Sequence, residues 1–343
     1  MKKIELPVCQ PLISTFLTYA GRSIILSSNP SAENFFYNHT IQLECKGNLF
    51  KGFSSPVPKL KSEKFADLNE IAETVDFPIK FVRHCPNEII KASLDAGYYF
   101  YLRDADDYYI PGKSWYRKRH FWHHGLISGY DDSDQTFTMN AYDDRWLFSS
   151  FKIPQICIPE AIESICAFGR MQEKLTAAKG KNCIFELDLP LIQESLCEYL
   201  TYVPIVESAG DDFVNPCGVA VYDYLKLFLE LLLNESIPYE RFDWRVFRLI
   251  WEHKKVMLDR IAAIENCIQT DHSLSEAYRP VEILANKIRL MYAKYHQKPD
   301  SSILKYILVA LDELRQKEVA VLTELVKKLD DYLMKEGACN VEC

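Results

Sequence analysis

Leu304, Leu308, Leu311, Leu314, Leu322, Leu325, Leu329 and Leu333 recur at mostly three- or four-residue steps through residues 301–336. That period belongs to a helix with one apolar stripe to bury. A stripe of that length needs other helices against it, and the sequence upstream supplies them. Helical periodicity recurs at 158–178, 190–200, 217–234, 241–268 and 273–296. The stripe therefore reads as the core of a helical bundle rather than as a dimer seam. Residues 1–157 have a different character. YYFYLR (98–103), HHGLISGYD (123–131) and QTFTMNAYD (135–143) alternate as strands do, and the aspartates of 131–134 mark a hairpin turn. Short strands around a turn at Lys46-Gly47-Asn48 are expected within 35–53, and helices at 11–20, 64–75 and 86–96. The expected fold class is α+β: a mixed domain over residues 1–157, then an all-helical domain over 158–343.

Charge and cysteine usage narrow the function. A net charge of −8 argues against a nucleic-acid binder, which needs a basic face. No run of 18 apolar residues exists, so no membrane span is expected. The 11 cysteines include no CxxC pair, which argues against a zinc ribbon or a disulfide scaffold. In MKKIELPVCQPLISTFL, Glu5, Pro7, Gln10, Ser14 and Thr15 break up the apolar run, so it does not read as an export signal. The expected compartment is the cytoplasm, with reduced thiols.

Two segments carry residues suited to chemistry. Cys9 precedes Pro11 at the entrance to the helix expected at 11–20, where unpaired N–H groups and the helix dipole favour a thiolate. Far downstream, RKRHFWHHGLISGYD (117–131) holds His120, His123 and His124. In a strand, His123 shares a face with Gly125 and Ile127, and His124 with Leu126 and Ser128. A glycine beside a histidine leaves room for substrate, which favours His123 as the base. Asn140, on the next strand, can orient its ring, with Asp143 as the rival partner. The histidine spacing is not that of a helical metal site, so no metal and no cofactor are expected. Lys113, Arg117, Lys118 and Arg119 form a basic cluster on an acidic chain. Lys118 and Arg119 are the expected contacts to an acidic partner.

Cys9 near the first helix, the segment LDAGYYFYLRDADDYYIPGKSWYRKRHFWHHGLISGYDD (94–132) with its H-x5-G-Y-D run, and the strand to Asn140 together resemble the papain-like fold. The chain is most similar in this respect to the bacteriocin-processing peptidases and to the butirosin biosynthesis protein H family, whose second half resembles the helical portion here. It departs from the latter in lacking a Gly-rich stretch some thirty residues after the cysteine, where only Gly47 stands. No glutamine for an oxyanion hole precedes Cys9. The resemblance implies a Cys9–His123–Asn140 triad and an acyl-enzyme formed from a carrier-protein thioester. The acceptor is then an amine or diamine, as in closthioamide-type amide formation, in natural-product assembly. It implies an acyl or peptidyl carrier protein as partner, the substrate tethered through phosphopantetheine. The alternative is a peptidase of the leader-processing type, with water as acceptor.

Overall fold

The computed structural model describes residues 2–46, 49, 57–168, 173–203, 215–236 and 243–339. In chain order the first elements are β1 (Lys3–Glu5), α1 (Leu17–Ile25), α2 (Ala32–His39), β2 (Leu43–Cys45), β3 (Pro58–Leu60), α3 (Glu63–Ala66) and β4 (Ala72–Pro78). There follow α4 (Ile79–Val82), α5 (Pro86–Asp95), β5 (Tyr99–Asp106), β6 (Trp122–Asp131), β7 (Thr136–Tyr142), β8 (Phe148–Pro154), α6 (Cys157–Ala167) and β9 (Lys174–Gly180). The remainder is helical: α7 (Leu189–Leu200), α8 (Val221–Leu233), α9 (Arg245–Cys267), α10 (Ser273–Gln297) and α11 (Ser301–Cys339). Mixed α/β structure followed by helices agrees with the expected class at that level. Among the described residues, no helix is long and apolar enough to cross a membrane.

The chain forms two compact units, and they do not divide at 157/158. Unit 1 is Met1–Ala32 with Asp67–Ile184, and unit 2 is Glu33–Ala66 with Phe185–Cys343. The expected boundary moves because β9, read from sequence as helix, is a strand inside the unit 1 sheet, between β4 and β5. Other local expectations shift as well. Residues 64–75 give only the short α3 before β4, and residues 32–39 are helix rather than strand. The turn expected at Lys46-Gly47-Asn48 lies mostly outside the described residues.

Unit 1 is built on a seven-stranded antiparallel sheet of order β4-β9-β5-β6-β7-β8, with β1 also paired to β6. The 131–134 turn joins β6 to β7 as expected: Asp131 Oδ1 accepts from the Ser133 amide at 2.9 Å. Alternation assigns the two faces. Phe100, Leu102, Ile127, Phe137 and Met139 share a core with Ile90 and Leu94 of α5 and Ile158 and Ile162 of α6. Tyr101 points the other way, toward α1. A Cβ on Gly21 would lie 2.4 Å from the Tyr101 hydroxyl, so this glycine admits a close approach inside α1 and is not a helix stop.

Unit 2 buries the leucine stripe. Leu304, Leu311, Leu314, Leu322, Leu325 and Leu329 are in the core. In the long gap between Leu314 and Leu322 the stripe position is filled by Glu318, which is fully buried. Its carboxylate accepts from the hydroxyls of Tyr199 (3.1 Å), Tyr222 (2.5 Å) and Tyr278 (2.6 Å), and pairs with Lys254 at 2.9 Å. Lys254 in turn reaches the Tyr199 hydroxyl and His253 Nδ1. A charge buried among helices is tolerated only when its partners are all present. Glu318→Ala should therefore cost about 3–5 kcal/mol in urea unfolding, because it strands Lys254. Replacing both partners, Lys254→Met with Glu318→Leu, should cost clearly less than Glu318→Ala alone.

Candidate functional site

The histidine cluster opens β6, and its partners come from β5. The two strands run antiparallel, with Phe100 opposite Ile127 and Ala105 opposite His123. One extra residue bulges from β5 between Leu102 and Ala105, where Asp104 takes a left-handed φ of 57°. This geometry lays the acidic run Asp104-Ala105-Asp106-Asp107 along the histidine run, and each histidine meets a different aspartate.

His120 has the closest pairing. Its Nδ1 lies 2.6 Å from Asp106 Oδ2, and Asp106 is wholly buried. Asp106 also accepts from the Ser164 hydroxyl at 2.6 Å and from the backbone amides of Tyr108 and Phe121, each at 3.1 Å. Burial pushes this carboxyl up, but the bonds from Ser164, His120 and the two amides outweigh it and hold it below the ordinary carboxylate range. The imidazole stands against Tyr108 and Phe168, with ring centroids 4.6 and 4.8 Å away.

His123, half-buried, meets the buried Lys113 and Asp107. Its Nδ1 is 3.4 Å from Lys113 Nζ and 3.7 Å from Asp107 Oδ2. Lys113 Nζ also reaches Tyr142 O at 3.1 Å and Asp107 Oδ1 at 3.4 Å. Lys113 thus has Tyr142 O as a hydrogen-bond acceptor, Asp107 as an ion-pair partner and His123 Nδ1 within reach. With Lys113 as donor to Nδ1, a neutral His123 carries its proton on Nε2. Burial lowers Lys113 from its ordinary value while Asp107 opposes the shift. Burial raises Asp107 to about 6, with Lys113 pulling the other way. The His123 ring stacks on Tyr142 at 5.6 Å and 20°. His124 Nδ1 accepts from the Asp104 amide at 3.1 Å, and burial lowers its pKa.

The remaining expected site residues fall elsewhere. α1 begins only at Leu17, so Cys9 is not at a helix entrance. Its amide donates to Ser27 Oγ (2.9 Å) and its thiol to Ser23 O (3.2 Å), which sets it beside the far end of α1. The residues at the start of α1 are the buried Ser14 and Thr15. Ser14 O accepts from the Tyr142 hydroxyl at 2.5 Å. Asn140 does not orient His123. It stands opposite Leu126, about 10 Å along β6 from His123. Its Nδ2 donates to Leu126 O (3.1 Å) and Ser128 Oγ (2.8 Å), and its Oδ1 accepts from Ser150 Oγ. Asp143 is also engaged away from His123: it accepts from the amides of Arg145 and Leu147 and closes the β7–β8 turn. The space beside Gly125 is not open to substrate, because Met139 Cε lies 1.9 Å from where a Cβ would stand. Lys118 and Arg119 are exposed, Arg119 lying over the Trp115 ring at 3.6 Å, whereas Lys113 is buried and leaves the basic surface cluster.

The sequence reading missed Asp104, Asp106, Asp107 and Lys113 as histidine partners. The signal was the acidic run ending the strand that precedes the histidines. Among the described residues, no group of three or more His, Cys, Asp or Glu side chains is placed to hold a metal ion. No known family model matches this chain, and no curated protein matches it.

The Asp107 shift has a fixed sign. Its folded pKa, about 6, lies above the ordinary value of about 3.9. The folded protein therefore holds the extra proton between those values. The stability this group contributes is full below about pH 3.9 and is lost as pH rises through about 6. In a carbon-detected NMR titration the Asp107 carboxyl should titrate near pH 6, and the His123 ring signals should shift with it. A midpoint near 4 would contradict this.

Proposed function

We propose that unit 1 is an acyl-transfer catalyst of papain-like organisation, carrying an acyl group from a carrier-protein thioester to an amine or diamine. The observation that supports this reading is the link through Tyr142. Its hydroxyl donates to the carbonyl of Ser14, in the segment leading into α1, and its ring lies on His123. A helix start is thereby kept beside a strand histidine, as an acyl-transfer site requires. On this reading we assign the nucleophile to Ser14 rather than to Cys9, whose thiol is bonded to Ser23 O.

The chemistry runs in two steps. Ser14 Oγ attacks the thioester carbonyl, the C–S bond breaks, and the departing thiolate takes the serine's proton. The amine then attacks the acyl-serine ester, its C–O bond breaks, an amide forms, and the proton released by the amine restores the hydroxyl. His123 Nε2–H donates to the carbonyl oxygen in both steps. Exposed Lys118 and Arg119 contact the acidic carrier and its phosphate. Free thiols at Cys9, Cys45 and Cys85 accord with a cytoplasmic setting.

A second reading, a module that holds a carrier without turnover, is favoured by one observation: Cys9 and Asn140 are both engaged away from His123. Intact-protein mass spectrometry with an acyl-pantetheine thioester separates the two. Wild type should gain one acyl group, Ser14→Ala and His123→Ala should not, and Cys9→Ala should behave as wild type. Release by a diamine faster than by water marks an amide synthase; release by water alone marks the hydrolase. Loss of the adduct in Cys9→Ala would restore the thiol as nucleophile, and no adduct on wild type would leave the binding reading. Reversing Lys118 and Arg119 to Glu should raise the KM for a carrier-bound donor roughly tenfold, with kcat nearly unchanged.

A further inference from the structure

A second feature of unit 1 lies on the face of the sheet away from α1. There a groove of about 270 Å³ runs between α5 and the strands β4 and β9. Its walls are Val75 and Phe77 of β4, Ile89 and Ala92 of α5, and Ala96 and Tyr98 just beyond that helix. Ser93 contributes no polar surface, since its hydroxyl is turned back to Ile89 O at 2.8 Å. Val75 and Ala92 stand open to solvent, so the groove can be entered from outside. One end carries a cation. Lys179 Nζ sits over the Tyr98 ring at 5.6 Å and donates to Ala96 O at 3.4 Å. No carboxylate pairs with it among the described residues. Glu73, its cross-strand neighbour, is turned to the Tyr98 hydroxyl at 3.2 Å.

We propose that this groove binds a straight aliphatic chain of medium length that ends in a carboxylate. The walls set the chain: Val75, Phe77, Ile89 and Ala92 are apolar and offer it no polar partner. Charge sets the head group: Lys179, unpaired at the mouth, offers its N–H bonds to a carboxylate. Phe100, opposite Ala177 of the groove wall, marks this face, whereas Tyr101 of the other face meets α1. The groove's lining includes none of Ser14, His123 or Tyr142, so it is separate from that site, and the proposal does not rest on the acyl-transfer reading.

Calorimetric titration of the full chain with decanoate tests it. Decanoate should bind, and hexanoate should bind on the order of a hundredfold more weakly for four methylenes lost. Lys179→Ala should weaken decanoate several-fold. Ala92→Trp, which fills the groove from the solvent side, should abolish binding while leaving the thermal unfolding transition in place. Val75→Trp, from the facing wall, should do the same. Decanoate binding that survives both tryptophans would overturn the site. Decanol binding as tightly as decanoate would overturn the carboxylate assignment.

Discussion

Unit 1 depends on β6, which pairs with three other strands. β5 takes its first half, β1 its last three residues, and β7 the stretch from Leu126 onward. A strand held on both edges cannot slip, because a one-residue shift would turn Ile127 out of the core and His124 into it. That fixed register, with the single bulge in β5, brings two clusters well separated in sequence side by side. Three histidines and three aspartates meet one to one. A regular ladder alone would not do this: the bulge re-aims Asp104, and Asp107 lies in the 3-10 turn that follows the end of β5 at Asp106.

Where the sequence was legible, one physical signal dominated each segment. The sequences of β5, β6 and β7 are rich in strand-forming residues bounded by turn signals, and the helix α11 carries its leucine stripe from Leu304 to Leu333. Even the break in that period carried information. Leu314 to Leu322 skips one stripe position, and Glu318 occupies it, bound by three tyrosines and a lysine from other helices. No local pattern could announce that a charge would be buried there. The strand β9 was illegible for the opposite reason. KLTAAKG has small residues that suit either state, and its identity is settled by β4 and β5 on either side. The unit boundaries were hidden because unit 2 recruits residues 33–66 from before most of the unit 1 sheet, and contiguous reading cannot anticipate that.

The site was half legible. The histidine-rich start of β6 stood out, and His123 lies in a cluster of perturbed groups. The partners were sought in the wrong direction. An orienting amide was expected from β7, but Asn140 spends its hydrogen bonds tying β6 to β8 through Ser128 and Ser150. The acids came from β5 instead. Cys9 was misplaced because α1 starts only at Leu17, and the segment ahead of it is held by long-range bonds such as that from Tyr142 to Ser14, which local patterns around Pro11 do not show.

Lys113 bears on the choice between the two acyl-transfer chemistries. A buried ammonium beside Nδ1 works against a positive charge on the imidazole, while the Asp107 carboxyl, 3.7 Å from the same nitrogen, works for one. A peptidase needs that charge: its histidine must become imidazolium and then protonate an amine leaving group. A thioester makes no such demand. Its leaving group is a thiol of ordinary pKa about 8.5, which departs as thiolate without an acid. What it needs is a fixed donor for the carbonyl oxygen, and a histidine with its proton on Nε2 supplies one. Within the proposed acyl-transfer reading, Lys113 acting as donor to His123 Nδ1 suits transfer from a thioester better than cleavage of a peptide bond, and this is the ground for proposing the synthase ahead of the hydrolase.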